Sequence, residues 1–448
     1  MPSGPSDDVP GPSRKSEQRA AELANSHRLA ALGEAIDQKS GVPHKTRKPK
    51  VRRTGWRRHK KWIYSGVAFI VLIALVIGGS YVYADWRFSQ VKKFNNTAEV
   101  KRVGNESFNI LEIGSDSRAG LTGFVAQQTG ASTGAASGQR SDVVKIMHVD
   151  PAKGTVSVLS IPRDTVVTLL ANQSTYGKYN RLNVNFQNGA TLLTKTITAD
   201  FGIPIAHTIV VSFAGIINAA DAIGGVNMNF PYPAKDALSG LNIPHAGCQS
   251  ITNFQALALV RSRHYEWYQN GVWNTDATSD FGRIYRQNEF VKAMITKAKG
   301  LYNPLTINNF LSKLPSGIAL DSSFSFNELV GLVIKFHNLD PTNLLTYTLP
   351  TAPGSLGNLG SILFVQEPAM QQTLEKIFGS QLLKPTNPPP VDSAGDTPSW
   401  NPTATAATTS SVHIPSTGKF LVNVAASTGT TSTTIPPEGD QFFDPSPC

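Results

Sequence analysis

From Trp62 to Ala84 the chain runs for 23 residues without a charge (WIYSGVAFIVLIALVIGGSYVYA). At about 1.5 Å of helix rise per residue this length crosses a hydrocarbon layer of roughly 30 Å, so residues 62–84 are expected to form one transmembrane helix. Ten Lys/Arg lie between Lys45 and Lys61, immediately before the run, whereas Asp85 and Arg87 are the nearest charges after it. That asymmetry puts residues 1–61 in the cytoplasm and everything beyond residue 84 outside. A cleaved signal peptide is the competing reading, because Val82-Tyr83-Ala84 loosely resembles a cleavage site. The 61 residues in front of the run argue against it.

The net charge of +10 belongs almost entirely to the first segment. Residues 1–61 hold 15 Lys/Arg against 6 Asp/Glu, and the remainder holds 26 against 25. A basic run beside a span serves orientation and contact with anionic membrane lipid, so no nucleic-acid partner is expected. Ala/Leu spacing over residues 16–36 fits one short helix, in a segment otherwise too polar to fold.

Length alone allows up to about three domains. Composition reduces that to one, over residues 108–379, after a linker at 85–107. Residues 380–448 are dominated by Pro, Thr, Ser and Ala and are expected to be a largely disordered tail. The only cysteines are Cys248 and the terminal Cys448. An extracytoplasmic location permits a disulfide, and Phe442 and Phe443 offer a means of docking the terminus. Spacing leaves a bridge and two unrelated thiols both open.

Residues 108–379 read as α/β. Residues 108–114 (FNILEIG) form a short apolar strand, and 143–150 and 155–161 flank a turn at 151–154 as a hairpin. In an antiparallel hairpin the start of the first strand and the end of the second share an edge, so Asp142 meets Arg163 and Asp164. If the preceding strand is antiparallel to 143–150, Asp116 and Arg118 arrive there too. Two later patches carry similar residues: RSR at 261–263 and DFGRIYRQ at 280–287. The segment before Arg261 fits strand or helix. An extended end would point Arg261 and Arg263 to one face. Asp280 is suited to cap a helix beginning near Gly282, on which Arg283, Arg286, Gln287 and Phe290 follow i, i+3, i+4, i+7 spacing.

Arginines that stay charged at any working pH and grip phosphate bidentately, beside carboxylates that hold Mg²⁺, are the components of a metal-assisted pyrophosphate site. Asp116 and Asp142 are the expected metal ligands, with Mn²⁺ as a substitute for Mg²⁺. Any one Arg/Asp patch alone is more simply a surface ion pair, worth at most about 1 kcal/mol. Five patches compatible with one site favour the ligand reading. Ser115 and Ser141 lack a matched histidine and acid, and His207, His245 and His264 lack metal-ligand spacing, which argues against a serine hydrolase or zinc enzyme.

The ordered motifs SFNILEIGSDSR, RSDVVKIMHVDPAKGTVSVLSIPRDT, YNRLNVNFQNGA, FGIPIAHTIVVSFAGIINAADAIGGVNMNFPYP, ALALVRSRH and DFGRIYRQNEFVKAM resemble the LytR-CpsA-Psr family of cell-wall glycopolymer ligases. The resemblance implies a central mixed β-sheet flanked by helices, with a greasy tunnel for a prenyl chain. It also implies a membrane-anchored phosphotransferase that moves a glycopolymer from a polyprenyl-pyrophosphate carrier to peptidoglycan through a phosphodiester. By this resemblance Asp116 and Asp142 match magnesium-binding carboxylates. Arg163, Arg261, Arg263, Arg283 and Gln287 match the pyrophosphate-binding set, with Arg118, Arg140 and Arg286 adjacent and Arg261 nearest the reacting phosphoryl group. Asp164 and Asp280 are expected to orient arginines. Arg181 stands where the family commonly has lysine. Tail style and family together suggest an actinobacterial-type wall with arabinogalactan, teichoic acid or a related polymer as cargo.

Candidate tunnel segments are 190–203, 209–223 and 329–334, each of which serves equally as ordinary core. The insert at 119–138 reads as slack loop or as a lid over the acceptor. Two other functions use the same residues: a lipid-pyrophosphate phosphatase, in which water attacks, and a non-catalytic lipid-binding scaffold of the wall.

Overall fold

A computed structural model describes residues 14–40, 56–119, 121, 123–129, 140–299, 308, 312–336, 339–391 and 441–448. The expectations for the start of the cytoplasmic segment, for most of the insert and for residues 392–440 lie outside the described residues. The chain divides into two units, residues 1–75 and 76–448. The helix α1 (Arg14–Ser40) is longer than the one expected over 16–36. The uncharged run lies within a single helix, α2 (Trp56–Ser89), whose stretch Val67–Ser89 contains 18 consecutive residues of mean hydropathy 2.3 and is long and apolar enough to be a candidate membrane span.

In the second unit ten strands carry the argument: β1 (Lys92–Phe94), β2 (Phe108–Ser115), β3 (Ser141–Asp150), β4 (Thr155–Ile161), β5 (His207–Val211), β6 (Val226–Phe230), β7 (Gly247–Ile251), β8 (Ile318–Asp321), β9 (Leu344–Thr348) and β10 (Ser446–Pro447). Seven form a mixed sheet in the order β1-β8-β5-β2-β3-β4-β9. The pairs β1/β8, β5/β2 and β4/β9 are parallel and the others antiparallel. A smaller antiparallel sheet has the order β7-β6-β10. The helices of this unit used below are α3 (Ala190–Phe201), α4 (Phe213–Ala222), α5 (Asn253–Arg261), α6 (Asp280–Lys299), α7 (Phe326–Phe336) and α8 (Ala369–Phe378).

The two-residue period of the strands decides which face each side chain serves. Leu111, Ile113, Val144, Ile146, Leu159 and Ile161 point to one face and pack with Leu193, Ile197 and Phe201 of α3 and Leu374 and Ile377 of α8. Each fully buried aliphatic there contributes about 1.5–3 kcal/mol. Glu112, Gly114, Val143 and Lys145 point to the other face, toward α4, α5 and α6. Ser212 starts α4 by accepting the Gly215 N–H at 3.3 Å, which fixes where that helix leaves β5.

The stretch before residue 108 is not only a linker, since β1 adds an edge strand and Val100 N–H donates to Ile205 O at 2.8 Å. The expected tail also begins within the fold: Leu383 N–H donates to Gly202 O and Thr386 N–H to Ala199 O. The last eight residues return to it. Cys448 is disulfide-bonded to Cys248, β10 pairs with β6, and the Phe443 ring stacks on Trp267 with centroids 3.8 Å apart. Within the insert, Gly123–Thr129 is helical and Ala126 is buried, so this part is not slack loop.

Candidate active site

The β3-β4 hairpin pairs Val144 with Ile161, and β2 pairs antiparallel with β3 at Gly114 and Val143, with a register shift just after Gly114. Strand direction therefore carries Asp116, Asp142, Arg163 and Asp164 to a single sheet edge. The backbone closes a small clasp there. Asp116 N–H donates to Arg140 O at 3.2 Å, and Arg140 N–H donates to Asp116 Oδ1 at 2.8 Å. Arg163 Nη1 donates to Asp142 Oδ1. Burial pushes the Asp116 carboxyl above its ordinary value, and the nearby Asp142 charge adds to this against the Arg140 N–H. Burial works against the Arg163 cation, but Asp142 and Asp164 outweigh it and hold the guanidinium pKa up.

Arg261 and Arg263 reach this edge by a route different from the extended end considered above. Residues up to Arg261 are helical, and Ser262 is extended (φ −65°, ψ 118°). Asp236 holds this corner by accepting from Ser262 Oγ (2.7 Å), Arg263 N–H (3.0 Å) and His264 N–H (3.0 Å). Arg263 lies over the sheet edge, with Nε 3.0 Å from Asp280 Oδ1 and Nη2 3.8 Å from Asp164 Oδ2. Asp280 opens α6, where its carboxylate is taken up by Arg263 and by Arg283 Nη2 at 2.7 Å rather than by a helix cap. Arg283 Nη2 also donates to Asp142 O at 2.8 Å, joining helix to sheet. Gln287 Nε2 donates to Val260 O at 2.9 Å and ties α6 to the end of α5.

Behind this polar edge lies an apolar cavity of about 270 Å³ between the sheet and α4, α5 and α6. Its walls include Val211, Phe213, Ile216, Phe290 and Met294, and Asp142, Arg261, Arg283 and Gln287 line the same space. The segment 209–223 thus contributes wall, as expected. The cavity takes no lining from 190–203 or 329–334; α3 packs in the core on the opposite sheet face because its apolar stripe covers Ile113 and Ile146.

The site is short of hydrogen-bond partners for its cations. Among the described residues, Arg118 Nε, Arg163 Nε, Arg261 Nη1, Arg263 Nε and Arg283 Nε are buried and make no aligned hydrogen bond. Arg261 stacks over Phe213 at 4.9 Å from the ring centroid. Its pKa is lowered first by burial and then by the Arg118 charge, with Asp142 and Asp236 opposing. Burial likewise lowers Arg283, with Asp280 and Asp142 opposing. Buried donors without acceptors cost about 1–3 kcal/mol each, a cost that an anionic ligand removes.

Three expected residues are placed differently. Arg286 is fully buried away from the cavity, with Nη1 2.9 Å from Asp276 Oδ2 and 2.7 Å from Asp444 Oδ1. At about 100° per residue Arg286 lies roughly 60° to one side of Arg283 and Gln287 about 40° to the other, so the face divides between two environments. Arg181 sits at the rim, donating through Nη2 to Leu359 O and to Ser361 O at 3.1 Å, with Nε 3.5 Å from Asp164. Arg140 is exposed and holds Asp116 through its backbone. The residues missed were Asp236, which orders the RSR corner, and the cavity-lining Glu112 and Lys145. The strand period placed Glu112 opposite the core face, but no sequence signal tied Asp236 to residues 262–264.

The LytR_cpsA_psr family model matches residues 81–378. The chain belongs to the LytR-CpsA-Psr family. Among relatives, it is 27% identical over 329 residues to the probable cell wall biosynthesis protein LcpB of Corynebacterium glutamicum, covering 71% of this chain and 73% of that one. It is 27% identical over 251 residues to the polyisoprenyl-teichoic acid–peptidoglycan teichoic acid transferase TagU of Bacillus cereus, covering 53% and 72%. The LytR-Csp2A-Psr enzyme from Actinomyces oris superposes with a TM-score of 0.51 at 21% identity, over 66% of this chain and 97% of that one, so the LytR-CpsA-Psr fold is shared.

Proposed function

We propose that this LytR-CpsA-Psr protein is a membrane-anchored, extracytoplasmic phosphotransferase. It takes a glycopolymer from a polyprenyl-pyrophosphate carrier and joins it to peptidoglycan through a phosphodiester bond. The observation that carries the reading is one cleft in which an apolar cavity meets Arg261 and Arg283, each with a buried N–H that has no aligned acceptor. A prenyl pyrophosphate has the complementary halves, an apolar chain and a diphosphate head. The names of the LcpB and TagU relatives point to the same class of chemistry.

The residues present fit Mg²⁺ in a limited way. Asp116 and Asp142 each commit Oδ1 to a protein donor, and among the described residues neither second oxygen has a hydrogen-bond partner. No group of three His, Cys, Asp or Glu suited to a metal occurs among the described residues. Two carboxylates with water and substrate phosphates completing the shell is the usual arrangement for this ion. When bound, Mg²⁺ or Mn²⁺ would neutralise diphosphate charge. Arg163, Arg261, Arg263 and Arg283 bind the phosphoryl oxygens and stabilise charge developing on them, Gln287 fixes the end of α5 that carries Arg261, and the apolar walls exclude water. Asp164 and Asp280 orient the arginines. Residues 1–61 lie in the cytoplasm, residues 62–84 span the membrane once, and the residues beyond them meet the acceptor outside.

The test is product analysis with purified protein, a short polyprenyl-pyrophosphate-linked glycan, a peptidoglycan fragment and Mg²⁺. Glycan-phosphate-acceptor adduct and free polyprenyl phosphate should appear together and require Arg261. Hydrolysis products alone, despite the acceptor, would make the protein a phosphatase. Lipid binding without turnover would make it a scaffold.

A further inference from the structure

Arg286 and the C-terminal strap are left over from this chemistry, and they meet directly behind it. Phe443, Asp444 and Cys448 bring the far end of the chain to the back of the RSR corner. Phe443 is 6% exposed against Trp267 and stacks on Tyr265 with centroids 6.3 Å apart, and Tyr265 Oη donates to Phe443 O at 3.4 Å. Asp444 Oδ1 accepts from Arg286 Nη1 at 2.7 Å and Asp276 Oδ2 accepts from the same nitrogen at 2.9 Å, while the guanidinium lies 4.5 Å from the Tyr265 ring centroid, so two carboxylates face one cation. The other arm, Arg286 Nη2, donates to Ser262 O at 3.2 Å. Ser262 is the single extended residue between Arg261 and Arg263. Gly282, one turn before Arg286, packs so closely that an added Cβ would come within 2.2 Å of Asp276 Oδ2 and 2.5 Å of Thr278 Oγ1, with Arg286 Nη2 at 3.0 Å. Disulfide, strand pair and stacked aromatics thus all serve to deliver one carboxylate to one arginine.

We infer that Asp444 and Arg286 are positioning residues for phosphate binding: the C-terminal strap, acting through Arg286 and the Ser262 carbonyl, sets the aim of Arg261 and Arg263. Neither residue touches the cavity, and the effect passes through the backbone at Ser262. The inference rests on the pyrophosphate-binding reading above. Asp444→Asn keeps the shape of the strap and removes the charge that holds Arg286. Asp444→Glu restores the charge.

The test is equilibrium binding of farnesyl pyrophosphate, with Mg²⁺, to the full chain in detergent micelles. The proteins compared are the wild type, Asp444→Asn, Asp444→Glu, Arg261→Met and the double variant, with the disulfide and the melting temperature checked in each. Asp444→Asn should weaken binding roughly tenfold, the scale of one charge-assisted hydrogen bond, and Asp444→Glu should recover part of it. In the Arg261→Met background the same change should cost much less, because the group it aims is gone. Unchanged affinity in Asp444→Asn would overturn the inference, as would a loss that adds fully to that of Arg261→Met, the signature of general destabilisation. If the wild type itself does not bind the probe, the pyrophosphate reading fails instead.

Discussion

The two sides of α6 hold the same residue type under opposite conditions. On one side Arg286 is fully buried, ion-paired with Asp276 and Asp444, and bonded to the Ser262 carbonyl. On the other, Arg283 shares Asp280 with Arg263 and has a buried Nε without an aligned acceptor, next to Arg261, whose Nη1 has none. In the first arrangement two carboxylates face one cation, although its Nε, like that of Arg283, has no aligned acceptor. In the second, one carboxylate is shared by two arginines, and among the described residues Arg261 makes no ion pair. Counting the carboxylates around each arginine, rather than counting arginines, separates scaffold from binding site.

The contrast breaks most readily at Arg286. Arg286→Met removes the cation that the buried Asp276 and Asp444 share, so it should cost about 3–5 kcal/mol of stability in denaturant titration. A comparable loss from Arg261→Met would erase the distinction, because removal of an unneutralised cation should leave stability within about 0.5 kcal/mol of wild type or raise it. In activity the order reverses. Arg261→Ala should lower glycopolymer transfer roughly 100- to 1000-fold at unchanged melting temperature. Cys448→Ser, which frees the strap while leaving every cleft side chain in place, should cost about 2–4 kcal/mol in thermal or denaturant unfolding.

The smallest expected effect is a pH dependence. Burial raises the Asp116 pKa, so the folded protein keeps that proton at pH values where the unfolded chain has lost it. Without metal, stability should therefore fall as pH rises from the ordinary aspartate value through the raised one. Saturating Mg²⁺ should oppose that fall by favouring the carboxylate. Melting curves across acid pH with and without Mg²⁺ check both signs, and Asp116→Asn should remove the difference. The far edge of the sheet supplies a control of opposite sign. Asp321 is held at about 2, against burial, by His207, Ser323 and the Thr208 N–H. Its contribution is present above the ordinary aspartate value and lost as pH falls toward 2, with or without metal.

Local chemistry made much of the cleft readable. The turn after Asp150 and the alternation on both sides of it specify a hairpin, and a hairpin brings Asp142 to Arg163 whatever else the chain does. The candidate span is likewise a property of 23 contiguous residues and needs no partner to be recognised. The i, i+4, i+7 relation of Arg283, Gln287 and Phe290 was sound, since all three line the cavity. Extending that face to Arg286 went too far, because helical spacing gives an angle but not what waits at that angle.

What the sequence determined by itself is therefore what short-range geometry determines: the apolar helix, the hairpin, the shared edge and the residue types that suit a diphosphate. Tertiary structure alone decided the rest. It ended a helix at Arg261 where an extended segment was equally plausible, and it assigned Asp236 to hold that corner. It resolved the open cysteine question by bringing Cys448 to Cys248 across a separation of 200 residues, and with it brought Asp444 to Arg286. A buried cation takes whichever carboxylates the finished packing delivers, and contacts between residues that far apart leave no periodicity along the chain to read.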